Sequence, residues 1–320
     1  MCGIVGYVGS RDCVPVLIEG LKRLEYRGYD SSGVALQTEG PLTVIKAAGK
    51  IRQLEGKLAQ SRPQATFGIA HTRWATHGEP NDVNAHPHVD EAGTVALVHN
   101  GIIENYQTLK NALQAEGHVF RTETDTEVLA HLVEKQLKRG HKLERAVGAA
   151  LRDVKGTYGI AVMCASEPGV IVGARSGSPM VLGIGEGEYY LASDVAAIVE
   201  HTRQVIYLDD GEMAVLTPEG FHTATVEHER VEKEVHDVDW DLSQIEKGGF
   251  EHFMLKVIME QPDAVRNAMR GRLDREEGLA RLGGLNMTPE QLRDIKRIII
   301  LGCGTSWHAG LIGEYMIEEF

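Results

Sequence analysis

Cysteine is scarce in this 320-residue sequence. There are four, Cys2, Cys13, Cys164 and Cys303. They lie far apart and form no C-x-x-C pair, which argues against a disulfide framework or a structural zinc site and suits a reducing compartment. Basic charge is also short: Lys plus Arg number 33 against 46 Asp plus Glu, for a net charge of −13. No basic stripe marks a nucleic-acid face, and the acidity disfavours binding to anionic membranes. Long apolar runs are missing as well. The N-terminus, MCGIVGYVG, has no basic region ahead of a hydrophobic stretch. Neither a signal peptide nor a membrane span is expected, and the expected location is cytoplasmic. Internal repeats and low-complexity tracts are absent too.

What is present is an ordinary globular composition, 42% hydrophobic and 25% charged. Such a chain can bury a sizeable core. Its length exceeds a typical domain of roughly 100–200 residues, so one large domain plus something smaller is expected. Residues 2–9 read as a buried strand. Residues 13–26 change to helical spacing, with Val14, Leu17, Ile18, Leu21 and Leu24 on one face. Strands are predicted at 33–37, 42–47, 66–71 and 94–98, and helices at 51–60, 106–116, 126–139 and 143–153. A second group of strands follows at 157–165, 169–174, 180–184, 189–192, 204–208 and 212–216. Many of their connections are short turns with Gly, Pro or Asp, which suits antiparallel pairing. The pattern predicts an α+β architecture of stacked sheets covered by helices.

From about 226 the chain becomes charged and loses its periodicity, reading as a linker. Helical spacing returns over 254–270 and again, after a glycine-rich break, up to about 294. KRIIILGCGTS (296–306) then reads as a β-branched strand, a tight turn and the start of a helix. A lone βα unit needs neighbouring strands and cover on both sheet faces. This end therefore reads as the opening of an α/β domain that is cut short.

Several short motifs could carry chemistry. Removal of Met1 would give Cys2 a free α-amine. An amine with a pKa near 7.7–8.0 can take a proton from a thiol near 8.5, making the residue its own base. By position alone, the reading favoured for Cys2 is a small apolar residue at a strand start. RGYDSSG (27–33) reads as a turn after a helix, with Gly28 as its C-cap. HTRWATHGEP (71–80) places Arg73 at a strand end, where a buried guanidinium calls for a carboxylate partner. Asn100-Gly101 is a hairpin signal or an oxyanion hole built from a side-chain amide and a backbone N–H. In TETDTE (122–127), Thr124 and Glu127 fit a capping box that starts a helix at Asp125 and leaves that carboxylate free to hold a cation. His86, His88 and Asp90 have the residue types of metal ligands, without a further histidine at the usual spacing. Gly302 to Ser306 is a weak phosphate loop that lacks the Walker lysine.

Taken in order, MCGIVGYVG, LKRLEYRGYDSSG, HTRWATHGEP, NAHPH, HNGIIEN, TETDTE, ARSGSP and LASD resemble the class II glutamine amidotransferases, which have N-terminal-nucleophile folds. LEYRGYDS and HTRWATHGEPN are most similar to the isomerising, sugar-phosphate branch of that family, and LGCGTS to the start of its sugar-isomerase domain. The resemblance implies a four-layer αββα sandwich over 2–225, a linker over 226–253 and an incomplete sugar-isomerase domain over 254–320. It implies Cys2 as nucleophile, Asn100 and Gly101 as oxyanion hole, and Arg27 as an organiser of the nucleophile region. Arg73 would hold the glutamine α-carboxylate and Asp125 its α-ammonium, with Thr76 and His77 in a closing loop and Trp74 gating ammonia. Thr305 and Ser306 would contribute to a sugar-phosphate site. No cofactor and no metal are implied. The implied substrate is glutamine, and the implied acceptor is fructose 6-phosphate once the rest of the isomerase part is present. The implied product is glucosamine 6-phosphate for hexosamine biosynthesis, made by an enzyme that is a homodimer at full length.

Overall fold

The computed structural model describes residues 2–37, 41–238, 250–269, 273–274, 278–280 and 287–319. The chain divides into two compact units, Met1–Gly248 and Gly249–Phe320.

The first unit contains two antiparallel sheets. One has eight strands in the order β14-β11-β9-β10-β1-β4-β2-β3. These are β1 (Gly3–Val8), β2 (Ser31–Gln37), β3 (Leu42–Ala48), β4 (Phe67–Arg73), β9 (Val181–Ile184), β10 (Tyr189–Ala192), β11 (Gln204–Tyr207) and β14 (His236–Asp237). The other has six, in the order β13-β12-β8-β7-β6-β5. They are β5 (His88–Val89), β6 (Val95–Ile103), β7 (Gly156–Cys164), β8 (Ile171–Ser176), β12 (Glu212–Thr217) and β13 (Gly220–Thr225). The helices are α1 (Cys13–Leu24), α2 (Ile51–Ser61), α3 (Tyr106–Ala115), α4 (Glu127–Lys138) and α5 (Leu143–Leu151).

Three apolar clusters give the layer order. In the first, α1 residues Leu17, Leu21 and Leu24 and α2 residues Ile51 and Leu54 meet Val5, Val34 and Tyr190 of the eight-stranded sheet. In the second, Ile4, Ile69 and Leu191 of that sheet meet Ala96, Val98, Ala161 and Ile171 of the other. In the third, Leu97, Ile160 and Val172 face Leu129, Val133 and Val147 of α4 and α5. Alternate residues of β6 thus point to opposite cores, as the two-residue period of a strand requires. Both faces of each sheet are covered, so β1 and β6 read as continuous apolar runs without alternation. Burying one such leucine contributes about 1.5–3 kcal/mol.

The predicted elements from α1 to β12 coincide with the observed ones to within a few residues, except that β6 runs five residues past its expected end and takes in Asn100-Gly101, which is therefore not a hairpin turn. Three short strands were not expected: β5, β13 and β14. His236–Asp237 pairs with β11, and Val238 is buried in the first cluster. The chain therefore keeps contact with the first unit as far as Val238, within the stretch expected as a linker. Backbone pairing prevailed over a charged composition that shows no periodicity. Residues 239–249 of that linker, and the glycine-rich break at 281–286, lie outside the described residues.

In the second unit, helices span Phe253–Met269, Pro289–Arg293 and Thr305–Glu319. The expected strand at 296–301 is not formed. Residues 295–303 have no regular structure, and Ile298 to Leu301 are exposed. Among the described residues no strand pairs with them, so their backbone groups gain no ladder. Among the described residues, no helix is long and apolar enough to cross a membrane.

Candidate active site

Antiparallel neighbours put the start of one strand beside the end of the next. Gly3 pairs with Thr72, and Ser31 with Arg73, so Cys2 just ahead of β1 lies beside the last residue of β4. On the other side of β1, the Ser193 amide donates to the Ile4 carbonyl (3.1 Å), and the Ile4 amide donates to Ser193 Oγ (3.0 Å). From the second sheet, Asn100 Nδ2 donates to the Cys2 carbonyl (3.2 Å). A cavity of about 320 Å³ opens where these strand ends meet. Its lining includes Cys2, Arg27, Arg73, Trp74, Thr76, His77, Asn100, Gly101 and Asp125. The fold thus gathers into one cavity every residue that the resemblance linked to glutamine chemistry. Thr305 and Ser306 lie in the other unit, in the first turn of the helix Thr305–Glu319.

The Cys2 sulfur accepts from the Trp74 amide (3.2 Å), and its thiol faces the Trp74 carbonyl (3.5 Å). Burial pushes the thiol up, against the Trp74 amide, the amino terminus, Arg73 and Arg27, which all favour the thiolate. The thiol is therefore protonated near neutral pH until a base removes its proton. Met1 lies outside the described residues.

Asn100 is held by a buried histidine. His71 Nε2 is 3.0 Å from Asn100 Oδ1 and 3.1 Å from the His99 carbonyl. Two acceptors around one nitrogen require the proton on Nε2. That tautomer fixes the amide orientation, with its oxygen on His71 and its NH₂ toward Cys2. Burial lowers the His71 pKa to about 3, so the ring is neutral. Gly101 has φ +132°, and a Cβ there would sit 2.1 Å from the Thr157 carbonyl oxygen. Only glycine allows this part of β6 to lie against β7.

Arg73 is buried, and burial lowers its pKa despite Cys2, Asp30 and Asp125 nearby. The expected carboxylate partner is replaced by loop carbonyls. The guanidinium donates to Glu79 (3.2 Å), Gly78 (3.2 Å) and His77. The arginine thereby shapes the 74–79 loop. Asp30 supports the same loop by accepting from the Ala75 amide (2.9 Å). Trp74 stands half exposed with its ring edge-on to Tyr29, and Thr76 is exposed. Gly28 caps the short helical turn Glu25–Arg27, as expected, its amide donating to the Glu25 carbonyl (3.1 Å). Its φ is −179°, and a Cβ there would lie 2.7 Å from the Arg73 carbonyl carbon. Glycine is needed at 28 for close backbone approach.

The capping box expected at 124–127 does not form. Helix α4 starts at Glu127, and its N-cap Thr126 makes no side-chain cap. Thr124 Oγ1 instead pairs with His88 Nε2 (3.1 Å). Glu127 accepts from the amides of Arg121 (2.8 Å) and Thr122 (2.8 Å). Asp125 is not free of bonds either: its Oδ2 accepts from the Ile103 amide (2.8 Å). Its Oδ1 lies 4.0 Å from His77 Nδ1, so one oxygen still faces the cavity loop.

Arg27 Nη1 pairs with Asp194 Oδ2 (3.0 Å) and the Ser193 carbonyl (3.2 Å), which ties it to the residues that clamp Ile4. Asp194 and Ser193 belong to the LASD motif, so their presence was legible but their role was not. Among the described residues, His86, His88 and Asp90 do not converge into one set of ligand atoms. His86 Nε2 meets Thr126 Oγ1 (3.1 Å), and Asp90 accepts from Val95 N (2.6 Å) and Thr94 Oγ1 (2.8 Å) as a turn former.

Residues 56–239 match the family model described as a glutamine amidotransferase domain. The chain is 55% identical, over its whole length, to 53% of the glutamine–fructose-6-phosphate aminotransferase (isomerizing) of Chlorobaculum tepidum. It is 51% identical, again over its whole length, to 52% of the Aquifex aeolicus protein of the same name. The chain thus spans about half the length of the curated relatives it matches. Among solved structures it is similar to the glutamine phosphoribosylpyrophosphate amidotransferase of B. subtilis. That match has a TM-score of 0.60 and 29% identity, and covers 70% of this chain and 49% of the other.

Proposed function

The chain belongs to the glutamine amidotransferase family, and we propose that it hydrolyses glutamine to glutamate and ammonia through a thioester on Cys2. The observation that carries this reading is the meeting of Cys2, Arg73, Asn100 and Asp125 around one cavity. Glutamine is a zwitterion with a primary amide. It needs a fixed cation, a fixed anion, a nucleophile and donors for a developing oxyanion. Arg73 takes the α-carboxylate once the loop carbonyls yield, and Asp125 Oδ1 takes the α-ammonium.

After Met1 is removed, the Cys2 α-amine accepts the thiol proton, and the thiolate attacks the amide carbon. Asn100 Nδ2 and the Gly101 N–H stabilise the oxyanion that forms. The α-ammonium passes its proton to the departing nitrogen, releasing ammonia and leaving the γ-glutamyl thioester. Water, deprotonated by the same amine, attacks the thioester and frees glutamate and the thiol. Arg27, through Ser193 and Asp194, holds the strand behind Cys2. Trp74 and the loop with Thr76 and His77 close the cavity and gate ammonia. No cofactor takes part.

The finer reading is that this ammonia converts fructose 6-phosphate to glucosamine 6-phosphate in the cytoplasm, in a full-length homodimer. The similarity to the aminotransferases supports it, as do LGCGTS and the placement of Thr305 and Ser306 at a helix start. On this reading, residues 2–225 form the bulk of the glutaminase domain, a linker follows, and 254–320 open the isomerase domain. The test is glutamate release from glutamine, with and without fructose 6-phosphate. Cys2→Ala is expected to abolish release, and retained release overturns the nucleophile. Glucosamine 6-phosphate formation would be assayed in a protein carrying the remaining half.

A further inference from the structure

Helix α4 is buried on nearly every side, yet it carries polar residues into the core. His131 is 0% exposed and Glu134 is 3% exposed. Neither ring nitrogen of His131 makes a hydrogen bond, and neither does Glu134 Oε2. Their spacing of three residues puts both on one face of the helix. His118 completes the group from the connection after α3, where its amide is anchored to the Leu113 carbonyl (3.0 Å).

His118 Nδ1 lies 3.3 Å from Glu134 Oε2, and His131 Nδ1 lies 3.9 Å from the same oxygen. Among the described residues, this is the one group of His, Cys, Asp or Glu whose ligand atoms all fall within 4.8 Å of one another. On the other side of the His131 ring, Nε2 faces Glu127 Oε1 at 3.7 Å. A proton on Nε2 suits that carboxylate and leaves a bare lone pair on Nδ1, aimed at the Glu134 oxygen. Two acceptors then face each other across a buried gap, an arrangement that calls for a cation between them.

We propose that His118, His131 and Glu134 form a binding site for a divalent transition metal of the zinc type. Bonds of about 2.0–2.2 Å in a tetrahedral site would place ligand atoms about 3.3–3.6 Å apart, against the 3.3 and 3.9 Å that separate the two histidines from Glu134 Oε2. Two imidazole nitrogens and one carboxylate oxygen suit zinc or cobalt, whereas calcium requires six to eight oxygens. Glu127 supplies the carboxylate behind a ligating histidine that orients many such sites. Lys138 Nζ holds the other Glu134 oxygen at 2.5 Å and leaves Oε2 for the metal. The ion would fasten the 116–126 connection, which carries Asp125, to helix α4. It lies outside the set of residues that lines the glutamine cavity and takes no part in the chemistry there.

The test uses the full chain with Cys2→Ala, which removes the thiol of the cavity as a competing ligand. Cobalt(II) and zinc(II) are titrated against a chromophoric chelator. One metal per chain is expected to bind, with tetrahedral cobalt bands and no thiolate charge-transfer band. His118→Ala, at a partly exposed position, is expected to weaken binding at least tenfold, since loss of a mere outer-shell partner already costs about that much. Lys138→Ala is expected to tighten binding by freeing Glu134, and it remains informative if the His118 variant is unstable. A thiolate band, no binding, or affinities unchanged in both variants overturns the site.

Discussion

Two apolar runs in this chain read alike and end differently. Val95-Ala-Leu-Val-His99 forms the heart of β6, with Val95 to Val98 fully buried and paired along its length to β7. Arg297-Ile-Ile-Ile-Leu301 is the more β-branched of the two, yet it forms no strand, and Leu301 is 88% exposed. It lies along the helix Thr305–Glu319, where a Cβ at Gly310 would come within 2.9 Å of Ile300. The comparison teaches that strand propensity is chiefly a capacity to pack between neighbours. Without partner strands among the described residues, the backbone of 297–301 has no ladder to join.

The largest expected effect concerns acid. His71, His86 and His88 are all depressed by burial, His71 to about 3. The unfolded chain binds protons on these rings below about pH 6.5 while the folded chain does not. Their stabilising contribution is therefore complete above 6.5 and declines as pH falls toward the folded values. Each ring contributes a slope of up to about 1.4 kcal/mol per pH unit. Urea unfolding at pH 7.0 and 5.0 should lose several kcal/mol, with hydrogen exchange locating the loss in the first unit. An equal loss in 250–319 would break the contrast.

Next, Leu97→Ala on β6 should destabilise the first unit by about 2–5 kcal/mol in urea titrations, through a cavity between sheet and helices. Gly101→Ala should cost about 1–3 kcal/mol from its backbone strain, more if Thr157 cannot move, and should sharply lower glutaminase turnover. Steady-state kinetics with a matched melting curve separate the two losses. His71→Gln should reduce kcat about tenfold, with KM for glutamine little changed, since the Asn100 amide loses its fixed orientation but not its place. An unchanged kcat would show that His71 serves packing alone. The smallest effect is expected for Ile299→Ala, within about 0.5 kcal/mol. A large loss there would mean that the run is held by contacts beyond those described.

Much of the fold was legible because helix and strand periods are local properties. The α1 stripe from Leu17 to Leu24 and the strand at Val95–Val98 needed no knowledge of their neighbours. The candidate site was legible in its membership and illegible in its wiring. Arg73 looked for a carboxylate and found the carbonyls of its own loop. Thr124 looked like a cap and instead bonds His88. Gly28 was legible as a C-cap, but not as the point of close backbone approach to Arg73 that it also is. Short strands such as β14 were missed because two paired residues leave no periodic trace. His118, His131 and Glu134 passed unnoticed because their convergence depends on how α4 packs.

By itself the sequence determined where the helices and most of the longer strands of the first unit lie, and which motifs follow which. Its scarce cysteines and acidic balance narrowed the classes of function. Only the tertiary structure decided that Cys2, Trp74 and Asn100 meet, because those hydrogen bonds join residues dozens of positions apart in the chain. Strand register brings the start of β1 beside the end of β4, and no local preference specifies a register between strands so far apart.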